Sequence, residues 1–158
     1  MSLQKDVEVL RSIPLFAKIE PAKLKLLAFT SEHLEFAEGD TLCRQGEAGD
    51  AAFIVLEGQA DVLVENPGGA VKVATIHRND IVGEIAILCD VPRTATVQAT
   101  TRLVALRVSK DGFFNLVTQF PQIAVEIMGE LASRLHATTQ RLTEASARLR
   151  SIDAAGRA

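Results

Sequence analysis

The sequence has no tryptophan, no tyrosine, only two cysteines and no excess of basic residues. Each shortage removes a class of function. Lys and Arg number 17 against 20 Asp and Glu, a formal net charge of −3, whereas gripping a nucleic-acid backbone needs concentrated cations. Cys43 and Cys89 lie far apart and fit no metal-ligand spacing, so two reduced, buried thiols are expected. His33, His77 and His136 are isolated as well, without a His-x-His pair, which disfavours the zinc or iron centre of a metal-dependent β-rich enzyme. Neither cysteine has a recognisable histidine partner for nucleophilic catalysis. No apolar run approaches the roughly 18 to 20 residues that cross a bilayer. The start, MSLQKDVEVL, lacks the basic-then-apolar layout of a signal peptide. The expectation is a cytoplasmic protein that is no enzyme, carries no metal or cofactor, has no membrane segment and makes no nucleic-acid contact of its own.

What is present is an ordinary globular balance. The chain has 158 residues, 47% hydrophobic and 23% charged, enough for one domain with a real core. Residues 1–30 read as a helical segment: Val7 and Leu10 precede a break at Pro14, and a second helix opens at Pro21, a favoured first helical position. From 31 to 108 short stretches such as AAFIVL, ADVLVE, VKVATI, TATVQA and RLVALRV alternate with glycine turns. Short strands separated by turn signals predict an all-β sandwich or barrel. The Val62/Val64 and Val71/Val73 alternation about Pro67-Gly68-Gly69 is the clearest hairpin. Over 109–152 the pattern returns to helix, with Ser109 as an N-cap and Pro121 opening a long final helix. The small-residue end, 153–158, is expected to be a disordered tail.

Inside the β zone, residues 81–97 read Ile-Val-Gly-Glu-Ile-Ala-Ile-Leu-Cys-Asp-Val-Pro-Arg-Thr-Ala-Thr-Val. Glu84 to Leu88 look like one short helical turn between strands. Gly83 at its start lets a ligand approach the backbone, and the N–H groups of Ile85 and Ala86 at such a helix start suit a phosphate. Arg93 adds a planar fork of donors that matches phosphate oxygens, and Thr94 a hydroxyl.

Gly83-Glu84-Ile85-Ala86-Ile87-Leu88 followed by Pro92-Arg93-Thr94-Ala95-Thr96 resembles the phosphate-binding cassette, here 83–96, of the cyclic-nucleotide-binding domain family. The resemblance extends over residues 10–135. Ser12-Ile13-Pro14-Leu15-Phe16, Gly39-Asp40, Gln45-Gly46-Glu47, Gly49-Asp50 and Phe53 to Gly58 match the family's lead-in segment, turns and strands. It implies an eight-stranded β-roll with short helices before it, an internal cassette helix and two helices after it. It also implies a regulatory module for a cyclic mononucleotide. The ligand expected is cAMP, with cGMP open, because a Thr94 hydroxyl suits either. By the same resemblance Arg93 pairs with the exocyclic phosphate oxygens and Glu84 accepts a hydrogen bond from the ribose 2′-hydroxyl. Gly83, Ile85, Ala86 and Ala95 contribute backbone groups. Val82 stands where the family often has an aromatic residue, a departure expected to affect packing alone.

An alternative from another class is a β-roll that no longer binds nucleotide and acts as an interaction scaffold through its last helix. That helix carries Met128, Leu131, Leu135, Thr138, Leu142, Ala145, Leu149 and Ile152 in steps of three and four, an a/d seam that predicts pairing in a homodimer. Glu130 with Arg134 and Glu144 with Arg148 are i,i+4 pairs that support the helix, while Arg134, Arg141 and Arg148 on one flank would face no acidic partner in a parallel pair. Folding back on the chain's own barrel is the other use of the stripe. Leu131 and Leu135 are also candidates to lid a purine, since no tryptophan or tyrosine is available for that. No effector follows the last helix, so the output is expected from another chain or from the rest of a longer protein.

Overall fold

The computed structural model describes residues 3–157. Helix α1 (Leu3–Ser12), a 3-10 turn (Pro14–Phe16) and α2 (Pro21–Phe29) lead into the β-roll. Its strands are β1 (Glu32–Phe36), β2 (Thr41–Cys43), β3 (Ala51–Glu57), β4 (Ala60–Asn66), β5 (Gly69–Ile76), β6 (Ile81–Val82), β7 (Thr96–Ala99) and β8 (Leu103–Ser109). The short helix α3 (Glu84–Leu88) sits between β6 and β7, and α4 (Lys110–Gln119) and α5 (Gln122–Arg157) complete the chain. The strands form two antiparallel four-stranded sheets, ordered β1-β8-β3-β6 and β2-β7-β4-β5.

Strands β3 and β8 are apolar along almost their whole length because both of their faces are covered. On β3, Phe53 and Val55 point into the roll, while Ala52 and Ile54 point toward the helices. On β8, Leu103 and Ala105 fill the roll, and Leu106 and Val108 meet the helices. The side-chain period of two therefore divides the core into two clusters. One lies between the sheets. The other joins Leu10, Phe16, Leu24 and Leu27 to Phe113, Ile123 and Ile127.

Element ends follow their local chemistry. Pro21 occupies the first turn of α2. Ser109 caps α4, its hydroxyl accepting from the Gly112 amide at 2.9 Å. The β4–β5 hairpin closes with Asn66 opposite Gly69. Val71 and Val73 on that hairpin are exposed, because β5 is an edge strand with no layer over it.

Two expectations are corrected, and the alternative use of the α5 stripe does not hold. Helix α5 continues through Arg157, so residues 153–157 are not a disordered tail; Ala154 and Ala155 are strong helix formers that prolong it. Ala158 lies outside the described residues. The cysteines are not both buried: Cys43 is half-buried and Cys89, just past α3, is exposed. The apolar stripe of α5 does not fold back on the roll. Ile123 and Ile127 are buried, but Leu135, Leu142, Leu149 and Ile152 are each about two-thirds exposed. Among the described residues no helix is long and apolar enough to cross a membrane.

Candidate functional site

The site forms where β6 ends and the chain turns into α3. Gly83 caps that helix with φ +83°, a left-handed conformation that side chains with a Cβ adopt only at a cost. Space imposes the same choice. A Cβ on Gly83 would lie 2.3 Å from Arg93 Nη1 and 3.2 Å from the Ala51 carbonyl oxygen. Glycine is thus required both by the turn and by the guanidinium beneath it.

Arg93 is held from several sides. Its amide donates to the Glu47 carbonyl at 2.8 Å, and its carbonyl accepts from the Gly46 amide at 2.9 Å. The Gln45-Gly46-Glu47 turn is therefore the clamp that fixes the arginine's backbone. Nη2 donates to the Ala51 carbonyl at 2.8 Å, and the guanidinium lies 5.9 Å from the centre of the Phe53 ring. The side chain is 8% exposed, yet among the described residues it makes no ion pair and Nη1 has no hydrogen-bond partner. A buried cation with an unused donor is costly, by about 1 to 3 kcal/mol for the unsatisfied group alone. An anion brought to this place would relieve that cost.

Helix α3 is anchored from beneath. Ile87 is buried in the cluster that also holds Ile123 and Ile127, while Ile85 on the other side is half-exposed. The amide of Cys89 closes the turn on the Ile85 carbonyl at 2.7 Å. The first amides of α3 have no partner four residues back, as at any helix start. Ala86 belongs to this turn; its side chain lies outside those described.

A cavity of about 210 Å³ opens over these groups. Six of the seven residues nominated from sequence line it: Gly83, Glu84, Ile85, Arg93, Thr94 and Ala95. Thr94 is exposed at its rim. Sequence reasoning missed Cys43, Val62 and Val97, which supply much of the opposite wall. These come from β2, β4 and β7, and only the strand pairing brings them to the cassette. Burial pushes the Cys43 thiol up from its ordinary pKa; Arg93 and a hydrogen bond from the Val97 backbone act in the opposite sense, and Glu47 adds to the rise.

Glu84 does not pair with Arg93. Its Oε1 faces Arg134 Nη1 of α5 at 3.9 Å, and Arg134 Nε also lies 3.5 Å from Glu130. Sequence spacing revealed the Glu130–Arg134 pair but not the reach to Glu84. Leu131 and Leu135 do not line the cavity; Arg134 of α5 reaches the cassette by its contact with Glu84. Among the described residues no three His, Cys, Asp or Glu side chains converge as metal ligands would.

Residues 33–120 match the family model described as the cyclic nucleotide-binding domain. The chain is 33% identical over 137 residues to a cAMP-dependent protein kinase regulatory subunit of Mycosarcoma maydis, covering 81% of this chain and 26% of that protein. It is 27% identical over 138 residues to a CRP-like cAMP-activated global transcriptional regulator of Mycobacterium tuberculosis, covering 87% of this chain and 62% of that one. Among solved structures, the N-terminal domain of a transcriptional regulator from Streptomyces coelicolor superposes with a TM-score of 0.77 at 28% identity, covering 85% of this chain and 94% of that domain. The chain thus spans about a quarter of the kinase subunit and under two-thirds of the transcriptional regulator.

Proposed function

The chain belongs to the cyclic nucleotide-binding domain family, and we propose that its own ligand is cAMP, bound over α3 and read out through α5. The observation that carries this reading is Arg93: a buried guanidinium with no ion pair and an unused Nη1, roofed by a residue that must be glycine. A cyclic phosphodiester offers one negative charge and exocyclic oxygens to that cation and to the first amides of α3. Glu84 accepts from the ribose 2′-hydroxyl. A carboxylate so near a phosphate is tolerable because Arg134 faces it and the ribose presents a donor. The aliphatic wall of Val62 and Val97 suits the face of a purine. Gly83, Ile85, Ala86 and Ala95 contribute backbone groups, and Thr94 a hydroxyl. The chain binds and does not catalyse, and two unpaired thiols suit a reducing cytoplasm.

Its output is protein–protein contact. The exposed stripe of α5 pairs with that of a second copy, each leucine contributing about 1.5 to 3 kcal/mol before the cost of association. The effector lies on another chain or elsewhere in a longer protein, as the relatives' greater length allows. A scaffold without nucleotide would use the same α5 surface, but it would give Arg93 no reason to stay buried and unpaired.

Calorimetric titration of the protein with cAMP and cGMP tests the reading. Saturable heat and a raised melting temperature with cAMP are expected, with the deoxyribose analogue weaker. No heat and no melting shift with either nucleotide would leave the scaffold in its place.

A further inference from the structure

The cavity holds one nucleophilic side chain to which nucleotide binding gives no task. Cys43, at the end of β2, lines it with a half-buried sulfur in no disulfide. Its thiol donates to the Ala95 carbonyl at 4.0 Å, the outer limit for sulfur, and the Val97 backbone hydrogen-bonds to it as well. A second and independent feature points to a ligand in the same space: Arg93, more than nine-tenths buried, has an Nη1 without a partner among the described residues. The charge of Arg93 acts on the Cys43 thiol and favours its ionised form, although burial outweighs it. The other exposed thiol, Cys89, lies beyond α3 and outside the cavity wall.

We propose that Cys43 is a covalent modification site, exchanging with small anionic disulfides that Arg93 draws into the cavity, and that the mixed disulfide excludes the nucleotide. This rests on the reading of the cavity as the nucleotide site. The thiol loses its proton to solvent, and the thiolate attacks one sulfur of the incoming disulfide. That S–S bond breaks as the new one forms, Cys43 is oxidised, and the other half of the reagent leaves reduced as a thiolate. The carboxylate of the attached half takes the donors of Arg93 that a phosphate would take. Its bulk fills a cavity of about 210 Å³. Nucleotide binding in turn shields the sulfur. Because the folded thiol titrates above its ordinary value, exchange is slow near neutral pH and speeds up at higher pH than for a solvated cysteine. A dithiol reverses it. The nucleotide response would thus be blocked reversibly under disulfide stress.

The test uses the full chain carrying Cys89→Ser, in which Cys43 is the remaining thiol. Binding of cAMP by the reduced protein is measured first and tests the function reading alone. Labelling is then followed by intact mass with anionic dithiobis(nitrobenzoate) and with neutral bis(hydroxyethyl) disulfide, each rate divided by that of N-acetylcysteine amide. This comparison needs no nucleotide. The normalised rate should favour the anionic reagent by about tenfold at low salt and lose that advantage in high salt. Arg93→Ala should abolish the anionic preference, read as the ratio of the two rates, because losing its charge also lowers the thiolate fraction and slows both reagents. Saturating cAMP should slow labelling, and the adduct should weaken cAMP binding by about tenfold or more until dithiothreitol restores it. An adduct with unchanged cAMP affinity, an anionic rate indifferent to both salt and Arg93, or a Cys43 that reacts only after unfolding would each overturn the proposal.

Discussion

Replacing Arg93 by alanine separates the cost of the site from its use. In the free protein three terms oppose one another. The variant loses a charge-assisted hydrogen bond from Nη2 to the Ala51 carbonyl, worth about 1.5 to 3 kcal/mol. It also loses the guanidinium's place near the Phe53 ring, 5.9 Å from its centre, worth about 0.5 to 2 kcal/mol. Against these, it no longer buries a cation without a counterion and an Nη1 without a partner, a relief of about 1 to 3 kcal/mol or more. The losses come to about 2 to 5 kcal/mol against a relief of about 1 to 3 kcal/mol or more. Mid-range values leave a net loss of about 1.5 kcal/mol, and a chain of this size then melts about 3 to 6 °C lower. The ligand-bound state has no such compensation. Removing one partner of a buried charge pair costs about 2 to 5 kcal/mol, so cAMP affinity should fall by about thirtyfold or more. Thermal melts with and without cAMP, paired with calorimetry, read both quantities. The expected result is a folded free protein that melts a few degrees lower and whose melting temperature no longer responds to nucleotide. A folded Arg93→Ala protein that keeps wild-type affinity refutes the reasoning.

Gly83→Ala should cost about 1 to 2 kcal/mol of stability from the left-handed backbone alone. It should also displace Arg93 Nη1, which sits 2.3 Å from the new Cβ; chemical denaturation and titration check the pair, and unaltered cAMP affinity would show that Nη1 is not used. Glu84→Ala should weaken cAMP by about 1.5 to 3 kcal/mol, the value of a charge-assisted hydrogen bond, and shrink the preference for ribose over 2′-deoxyribose. If that preference is unchanged, the task of Glu84 is holding Arg134. Truncation after Ser133 should give a monomer with an intact β-roll, because Ile123 and Ile127 stay in the core. Sedimentation of the intact chain checks it, and a clean monomer at high concentration refutes pairing through α5.

The parts legible in the sequence are those set by local chemistry. Pro21 and Ser109 mark helix starts because one lacks an N–H and the other supplies an acceptor. Gly83 and Arg93 could be read together because a turn, a helix start and a cation within a dozen residues have the chemistry that suits an anion. What stayed hidden depends on residues distant in sequence. Cys43, Val62 and Val97 face the cavity only through the pairing of β2 and β4 with β7. Arg134 looked like half of a surface pair with Glu130, and nothing in the spacing shows that its other side reaches Glu84, fifty positions earlier. The hairpin residues Val71 and Val73 have strand alternation, but alternation cannot tell an edge strand lacking a covering layer from a buried one.

Two physical routes join the cavity to α5, and they differ in strength. The Glu84–Arg134 contact is the visible one, but it is long at 3.9 Å and both groups are partly solvated. Pairs of that kind contribute under about 1 kcal/mol, and a ligand that engages Glu84 can change α5 by no more than the difference it makes there. The second route is packing. An anion held between Arg93 and the start of α3 acts on a helix whose Ile87 is buried with Ile123 and Ile127 of α5 and Phe113 of α4. Interiors of native density do not deform smoothly, so a small displacement of Ile87 obliges its neighbours to move or repack. Losing or straining one such aliphatic contact costs about 1 to 3 kcal/mol, several times the ionic link. The buried isoleucines, and not the ion pair, therefore have the larger capacity to bias α5.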